Sequence, residues 1–188
     1  LIHKPVGALP SLRQEILVYL PFEPLTQVIA LLQSFPEYQF AVYHPDAQRT
    51  DHGHIQCFSP SRQGFAEAFA RAEGVIANAG FTRAEHLGHL DDEVWASEMA
   101  INLNGAYALV DPITHAMAAR GTGNVVFISS VNAIQHFGNP AYSAAKAGLI
   151  AYAKAIAVER GGEGVRANVV APGSVRTPAW DHRLEADP

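Results

Sequence analysis

Six short runs in this chain are almost continuously apolar: EILVYL (15–20), QFAVY (39–43), IQCFS (55–59), GVIAN (74–78), NVVFIS (124–129) and RANVVA (166–171). A strand with one face in water alternates apolar and polar residues, so runs without alternation must be covered on both faces. Longer segments lie between them. PLTQVIALLQSF (24–35) carries apolar residues at helical spacing, and RQGFAEAFARA (62–72) does so more weakly. Asp91 caps a further helix opening DDEVW, with Asp92 and Glu93 in its positive first turn. Another helix runs from about Pro140, at a tolerated first-turn position, to Arg160, where GGEG (161–164) stops it. Strands alternating with helices call for parallel pairing through right-handed crossovers. The expected fold class is therefore α/β: a three-layer, Rossmann-like doubly wound parallel sheet of about six strands in the order 3-2-1-4-5-6.

With 188 residues and no internal repeat, low-complexity tract or linker, the expectation is a single domain over residues 1–188. A net charge of −5 without any block of lysines or arginines leaves no electrostatic footprint for nucleic acid or an anionic membrane. Small molecules are the expected partners, a small-molecule nucleotide among the candidates, with the chain a monomer or a homodimer. The small residues Ala144, Ala145, Ala147, Gly148 and Ala151 suit helix-on-sheet packing as well as helix pairing between copies. The lone cysteine, Cys57, cannot form an internal disulfide, which fits a reducing compartment. With no signal peptide and no apolar run long enough to span a bilayer, the expected location is the cytoplasm. The chain opens at Leu1 without an initiator methionine, so it reads as a soluble domain or as a piece cut from something larger.

Chemistry concentrates in the second half. In the run PAYSAAKAGL, Tyr142 and Lys146 stand at i and i+4 and share one helical face. An ammonium beside a phenol favours the phenolate, which would let the tyrosine exchange protons nearer neutral pH than its usual value of ~10. Ser130, at the end of a strand, could donate to a substrate oxygen, and Asn102 is the second residue of INLNG in the preceding helix. His52 and His54 beside Cys57 are metal-ligand types, but no second ligand pair accompanies them, so a solvated loop and no metal are expected. Trp95 and Trp180 read as packing anchors.

Over roughly residues 74–181 the sequence resembles the short-chain dehydrogenase/reductase family. The matching pieces follow in family order: ANAGFTR (77–83), DDEVW (91–95), INLNG (101–105), NVVFISS (124–130), YSAAK (142–146) and NVVAPGSVRTP (168–178). The resemblance implies Tyr142 as general acid/base, Ser130 as the group orienting a substrate carbonyl, and Lys146 as the residue that binds nicotinamide ribose and lowers the tyrosine pKa. It implies Asn102 as anchor of a proton-relay water. Asn78 and Gly80 match the turn after the fourth strand, and Pro172, Gly173 and Thr177 match the segment beside the nicotinamide. Ser130 precedes Tyr142 by twelve positions, one fewer than is usual in the family, which makes Ser129 an alternative. The turn also begins with Ala77 where the family usually has asparagine.

The first half lacks the phosphate seat that such a cofactor requires. Dinucleotide pyrophosphate is held by backbone N–H groups at a helix N-terminus reached through a glycine loop. PFEPLTQV, after the first strand, has no glycine, two prolines without N–H groups, and Glu23, whose charge repels phosphate. GEGVRA (162–167) and GTG (121–123) lead into strands and lie at the wrong edge. Residues 1–80 resemble instead the nucleotide-sugar-binding Rossmann domain of GT-B-type glycosyltransferases, through ILVYLPFEPLTQVIALLQSFPEYQFAVYH and FAEAFARAEGVIANAGF. The expectation is thus a chimera of a glycosyltransferase-like half (1–80) and a dehydrogenase-like half (81–188), recombined or engineered. It would lack efficient catalysis and bind no cofactor tightly, with NAD or NADP bound only if the dehydrogenase half works. The alternatives are an NAD(P)-dependent reductase or dehydrogenase acting on a carbonyl or alcohol, and a nucleotide or nucleotide-sugar binding module.

Overall fold

The apolar runs become strands whose bounds fall within one residue of those read from the sequence. A computed structural model of the chain describes residues 15–19, 24–59, 70–83 and 85–175. The fold is Rossmann-like α/β with parallel strand pairing, and the chain divides into two compact units, Leu1–Gly74 and Val75–Pro188.

In the first unit, β1 (Glu15–Tyr19) pairs in parallel with β2 (Gln39–Tyr43), Ile16 lying opposite Phe40 and Val18 opposite Val42. A short antiparallel strand, β3 (Thr50–Asp51), flanks β4 (Ile55–Phe58), which itself pairs in parallel with β2. The absence of alternation in QFAVY has its cause here. Phe40 and Val42 join Val28, Leu32, Ile55 and Cys57 in one buried cluster, while Ala41 and Tyr43 pack with Phe58 on the other face. Sequence pattern did not reveal β3, which is only two residues long. It arises because the Asp51 carboxylate accepts from the Gly53 N–H at 2.8 Å and Gly53 takes the left-handed conformation that turns the chain back. Helix α1 (Leu25–Leu32) is shorter than the expected 24–35. Pro36 disfavours helical backbone in the residue before it, and Ser34 and Phe35 close by tighter turn bonds. Residues 21–23 of PFEP and most of the expected helix 62–72 lie outside the described residues, although Ala70 and Arg71 are helical.

In the second unit the strand order is β5 (Gly74–Ala77), β6 (Gly123–Ile128), β7 (Val165–Val170), β5 starting at the boundary. Strands β6 and β7 run parallel from Gly123 opposite Val165 to Ile128 opposite Val170. Helix α2 (Asp92–Met99) is capped as expected, with the Asp91 carboxylate accepting from the Val94 N–H at 2.7 Å. Val94 takes the buried position, so Trp95, expected as an anchor, is 43% exposed, and Trp180 lies outside the described residues. One widened π turn, Ala100–Asn104, joins α2 to α3 (Gly105–Arg120). Helix α4 (Pro140–Glu159) packs on β6 and β7, with Ala141, Ala145, Leu149, Ala153 and Ile156 buried along one stripe. Among the described residues no helix is long and apolar enough to cross a membrane.

Candidate active site

Strand β6 stops at Ile128, and the two serines that follow it point to different tasks, as successive extended residues must. The Ser129 N–H still pairs with the Val170 carbonyl at 2.8 Å, and its buried hydroxyl donates to the Lys146 carbonyl at 2.8 Å. Ser129 thus ties the strand end to α4. Ser130, extended at φ −160°, caps a short turn at Val131–Ala133, its hydroxyl accepting from the Asn132 N–H at 3.2 Å. The same hydroxyl lies close enough to the phenol of Tyr142 to favour its ionised form. Ser130, and not the alternative Ser129, meets the tyrosine. The intervening loop closes onto Pro140 through two successive left-handed residues, Gly138 at φ 87° and Asn139 at φ 56°.

Tyr142 and Lys146 lie on one face of α4, the ammonium 5.5 Å from the centre of the phenol ring. Lys146 is buried, and its Nζ donates to the Ile128 carbonyl at 2.9 Å. Burial pulls the ammonium below its usual pKa. Burial likewise pushes the Tyr142 phenol up; the Ser130 hydroxyl opposes this and the Glu98 carboxylate adds to it. The expectation that Lys146 leaves the tyrosine with a lowered pKa is therefore corrected. Desolvation of the phenol outweighs the stabilisation of its anion in this protein.

Asn102 falls in the π turn and is fully buried. Its amide engages the main chain of Phe81 on both sides: Oδ1 accepts from the Phe81 N–H at 3.0 Å, and Nδ2 donates to the Phe81 carbonyl at 2.6 Å. Nδ2 also faces the Glu98 carbonyl at 3.0 Å and the Glu98 carboxylate at 2.9 Å. Its side chain is committed to protein partners. A Cβ built on the neighbouring Gly80 would stand 2.9 Å from Asn102 Oδ1 and 3.0 Å from Lys146 Nζ, so the bare backbone of glycine is what admits the turn this close. Asn78 is exposed just past β5. The Pro172 carbonyl accepts from the Val131 N–H at 3.0 Å, which holds the segment after β7, with Gly173, beside the Ser130 turn. Thr177 lies outside the described residues.

Glu98 is the site residue that the sequence reading missed. It is 4% exposed, and its carboxylate accepts from the Arg83 N–H at 2.7 Å as well as from Asn102. A signal existed, because Val94, Glu98 and Asn102 recur at four-residue intervals on one helical face, so a carboxylate stands on an interior stripe. Elsewhere, His52 is exposed, the His54 ring bonds the Leu32 carbonyl at 3.2 Å and packs against Phe40, and Cys57 is buried in the core. Among the described residues no three His, Cys, Asp or Glu side chains are grouped to hold a metal ion.

A family model described as short chain dehydrogenase matches residues 18–187. An uncharacterized oxidoreductase of Schizosaccharomyces pombe is 42% identical over 115 residues, covering 61% of this chain and 45% of that protein. A 3-oxoacyl-[acyl-carrier-protein] reductase of Aggregatibacter actinomycetemcomitans is 40% identical over 123 residues, 64% of this chain and 51% of that protein. The chain spans about half the length of the curated relatives it matches. Among solved structures, an oxidoreductase of the short chain dehydrogenase/reductase family from Burkholderia thailandensis superposes with a TM-score of 0.73 at 32% identity, over 93% of this chain and 74% of that one. A protein from Beutenbergia cavernae named as a putative NAD(P) dependent gluconate 5-dehydrogenase, solved with NADP bound at low occupancy, gives a TM-score of 0.73 at 25% identity, over 93% and 77% of the two chains.

These matches overturn the expectation of a catalytically inert chimera. The dehydrogenase model begins at Val18, well inside the half read as glycosyltransferase-like, and nothing supports a glycosyltransferase domain. The physical cause of the misreading is plain. An apolar strand, an amphipathic helix and a second apolar strand are what any βαβ unit needs to bury its sheet, so their pattern does not separate one Rossmann family from another.

Proposed function

From the premise that the chain belongs to the short chain dehydrogenase family, we propose that it is an NAD(P)-dependent oxidoreductase interconverting a carbonyl compound and its alcohol. The observation that carries this reading is the placement of the buried Lys146 ammonium 5.5 Å from the Tyr142 ring, one helical turn along α4, with the Ser130 hydroxyl near enough to the phenol to favour its ionisation. The nicotinamide cofactor, when bound, supplies or accepts the hydride. Ser130 orients the substrate oxygen by hydrogen bonding. Tyr142 gives that oxygen a proton in reduction and removes one in oxidation. Lys146 spends one N–H on Ile128 and offers its other donors to ribose hydroxyls. The residues present fit the nicotinamide end of such a cofactor: a buried ammonium with donors to spare faces a glycine turn where a Cβ would stand 3.0 Å from it. Asn78, Gly80, Pro172, Gly173 and Thr177 border the cofactor in this reading, and the Asn102 side chain anchors the Gly80 turn, which leaves only its main chain for a relay water.

The names of the relatives, a 3-oxoacyl-[acyl-carrier-protein] reductase and an acetoacetyl-CoA reductase, support carbonyl reduction as the direction of interest. Binding is weak in this reading, because PFEPLTQV brings no glycine and Pro24, which precedes α1, has no N–H for phosphate. The test is a fluorescence titration with NADH and NADPH, followed by their oxidation in the presence of ketones and 3-oxoacyl thioesters. Turnover lost about 10²- to 10⁴-fold in Tyr142→Phe, with unchanged melting, is the expected result. Absence of both cofactor binding and turnover in the native chain overturns the reading.

A further inference from the structure

Glu98 sits in the interior as a carboxylate with two donors aimed at it. One oxygen accepts from the Arg83 main-chain N–H at 2.7 Å, the other from Asn102 Nδ2 at 2.9 Å. Both partners are donors, so the site demands a group that only accepts, which an ionised carboxylate supplies. This matters for Asn102, because an amide can sit either way round in a socket of its shape. Only one orientation lets Oδ1 accept from the Phe81 N–H while Nδ2 donates to the Phe81 carbonyl. The Glu98 carboxylate favours that orientation, since the flipped amide would aim Oδ1 at a carboxylate oxygen and Nδ2 at an N–H group.

We propose that Glu98 is a positioning residue: by accepting from Arg83 and Asn102 it sets the Asn102 amide and holds the Gly80–Arg83 turn against the Lys146 ammonium. The turn is then clamped at two points, Phe81 through Asn102 and Arg83 through Glu98 itself. Gly80 lies between the clamp and Lys146, where a Cβ would stand 3.0 Å from Nζ, so loosening the clamp moves the wall of the lysine's site. The catalytic consequence rests on the oxidoreductase reading above; the clamp itself does not.

Glu98→Gln tests it. Gln has the same size but only one acceptor oxygen, so whichever way its amide lies, one of the two donors meets an NH₂ group. Main-chain hydrogen exchange in the cofactor-free protein is expected to quicken about ten- to a hundredfold at Phe81 and Arg83, the scale of one buried donor left unmatched, while β6 and β7 stay protected. Under turnover, KM for the cofactor is expected to rise about tenfold with KM for the carbonyl substrate unchanged; mere loss of folded protein would lower only the apparent kcat. Glu98→Leu, which offers no acceptor, should quicken exchange at both amides at least as much. Unchanged exchange at Phe81 and Arg83 in both variants overturns the clamp, whatever the activity. A native chain with neither cofactor binding nor turnover overturns the oxidoreductase reading and leaves the exchange result to decide the clamp.

Discussion

The Lys146 ammonium stands 5.5 Å from the centre of the Tyr142 ring, and the phenol nonetheless titrates above its usual range. Burial is the largest cause, and the Glu98 carboxylate reinforces it against the Ser130 hydroxyl. An acid of this kind keeps its proton through neutral pH. In the reducing direction kcat/KM is expected to stay flat to about pH 10 and to fall only above it, while oxidation, which needs the phenolate, should climb with pH over the same range. Rate profiles in both directions check this, and a reductive limb already falling near pH 7 would contradict it.

Ser129 and Ser130 are adjacent and do different work, so their alanine variants should separate. Ser130→Ala removes the hydroxyl nearest the Tyr142 phenol on the β6 side and is expected to lower kcat about 10²- to 10³-fold with little change in melting temperature. Ser129→Ala deletes a buried donor to the Lys146 carbonyl and should cost about 1–3 kcal/mol of stability, with the smaller loss of turnover. Denaturant unfolding alongside kinetics distinguishes them, and equal kinetic losses would sink the assignment.

Two glycines with left-handed backbone make a second contrast. A Cβ on Gly164, at φ 82°, would run into the Gly121 carbonyl, whereas one on Gly53, at φ 78°, would meet nothing within 4 Å. Gly53→Ala should therefore cost only the conformational strain, about 1–2 kcal/mol. Gly164→Ala adds a backbone collision and should cost at least about 1 kcal/mol more, read as the difference between the two unfolding midpoints. Equal midpoints would mean that the start of β7 yields more readily than its contacts indicate.

Tyr152 gives the fold an alkaline limit. Its phenol is pushed up to about 12 by burial first, then by Asp111 and Tyr107, with Arg160 opposing. A folded value above the unfolded ~10 means that the folded state holds the proton more tightly, so this contribution is complete below about pH 10 and is lost as pH rises toward 12. Lys146 works in the other sense: its folded value is lowered, so the cost of burying the ammonium is relieved as pH climbs to the unfolded ~10.4. Tyr152→Phe is expected to flatten the fall of melting temperature above pH 10 and to leave it nearly unchanged at pH 7. A fall as steep as that of the native chain would remove Tyr152 from the account.

Much of this protein was determined by short stretches of its own sequence. QFAVY had to be a strand covered on both faces because it offers no polar side, Asp91 had to open a helix because its carboxylate satisfies the Val94 N–H, and Tyr142 and Lys146 had to share a face because four residues make about one turn. These are local consequences, complete within a few residues. The tertiary structure decided what depends on distant partners. Choosing Ser130 over Ser129 required knowing which hydroxyl leaves β6 toward α4's tyrosine and which is tied to the Lys146 carbonyl, seventeen positions away. Fixing the Gly80 turn required Asn102, which lies twenty-one positions along the chain from Phe81. The direction of the Tyr142 shift was beyond the spacing of YxxxK altogether, because desolvation is set by everything packed around the phenol, and a pair of residues read from a sequence carries no surroundings.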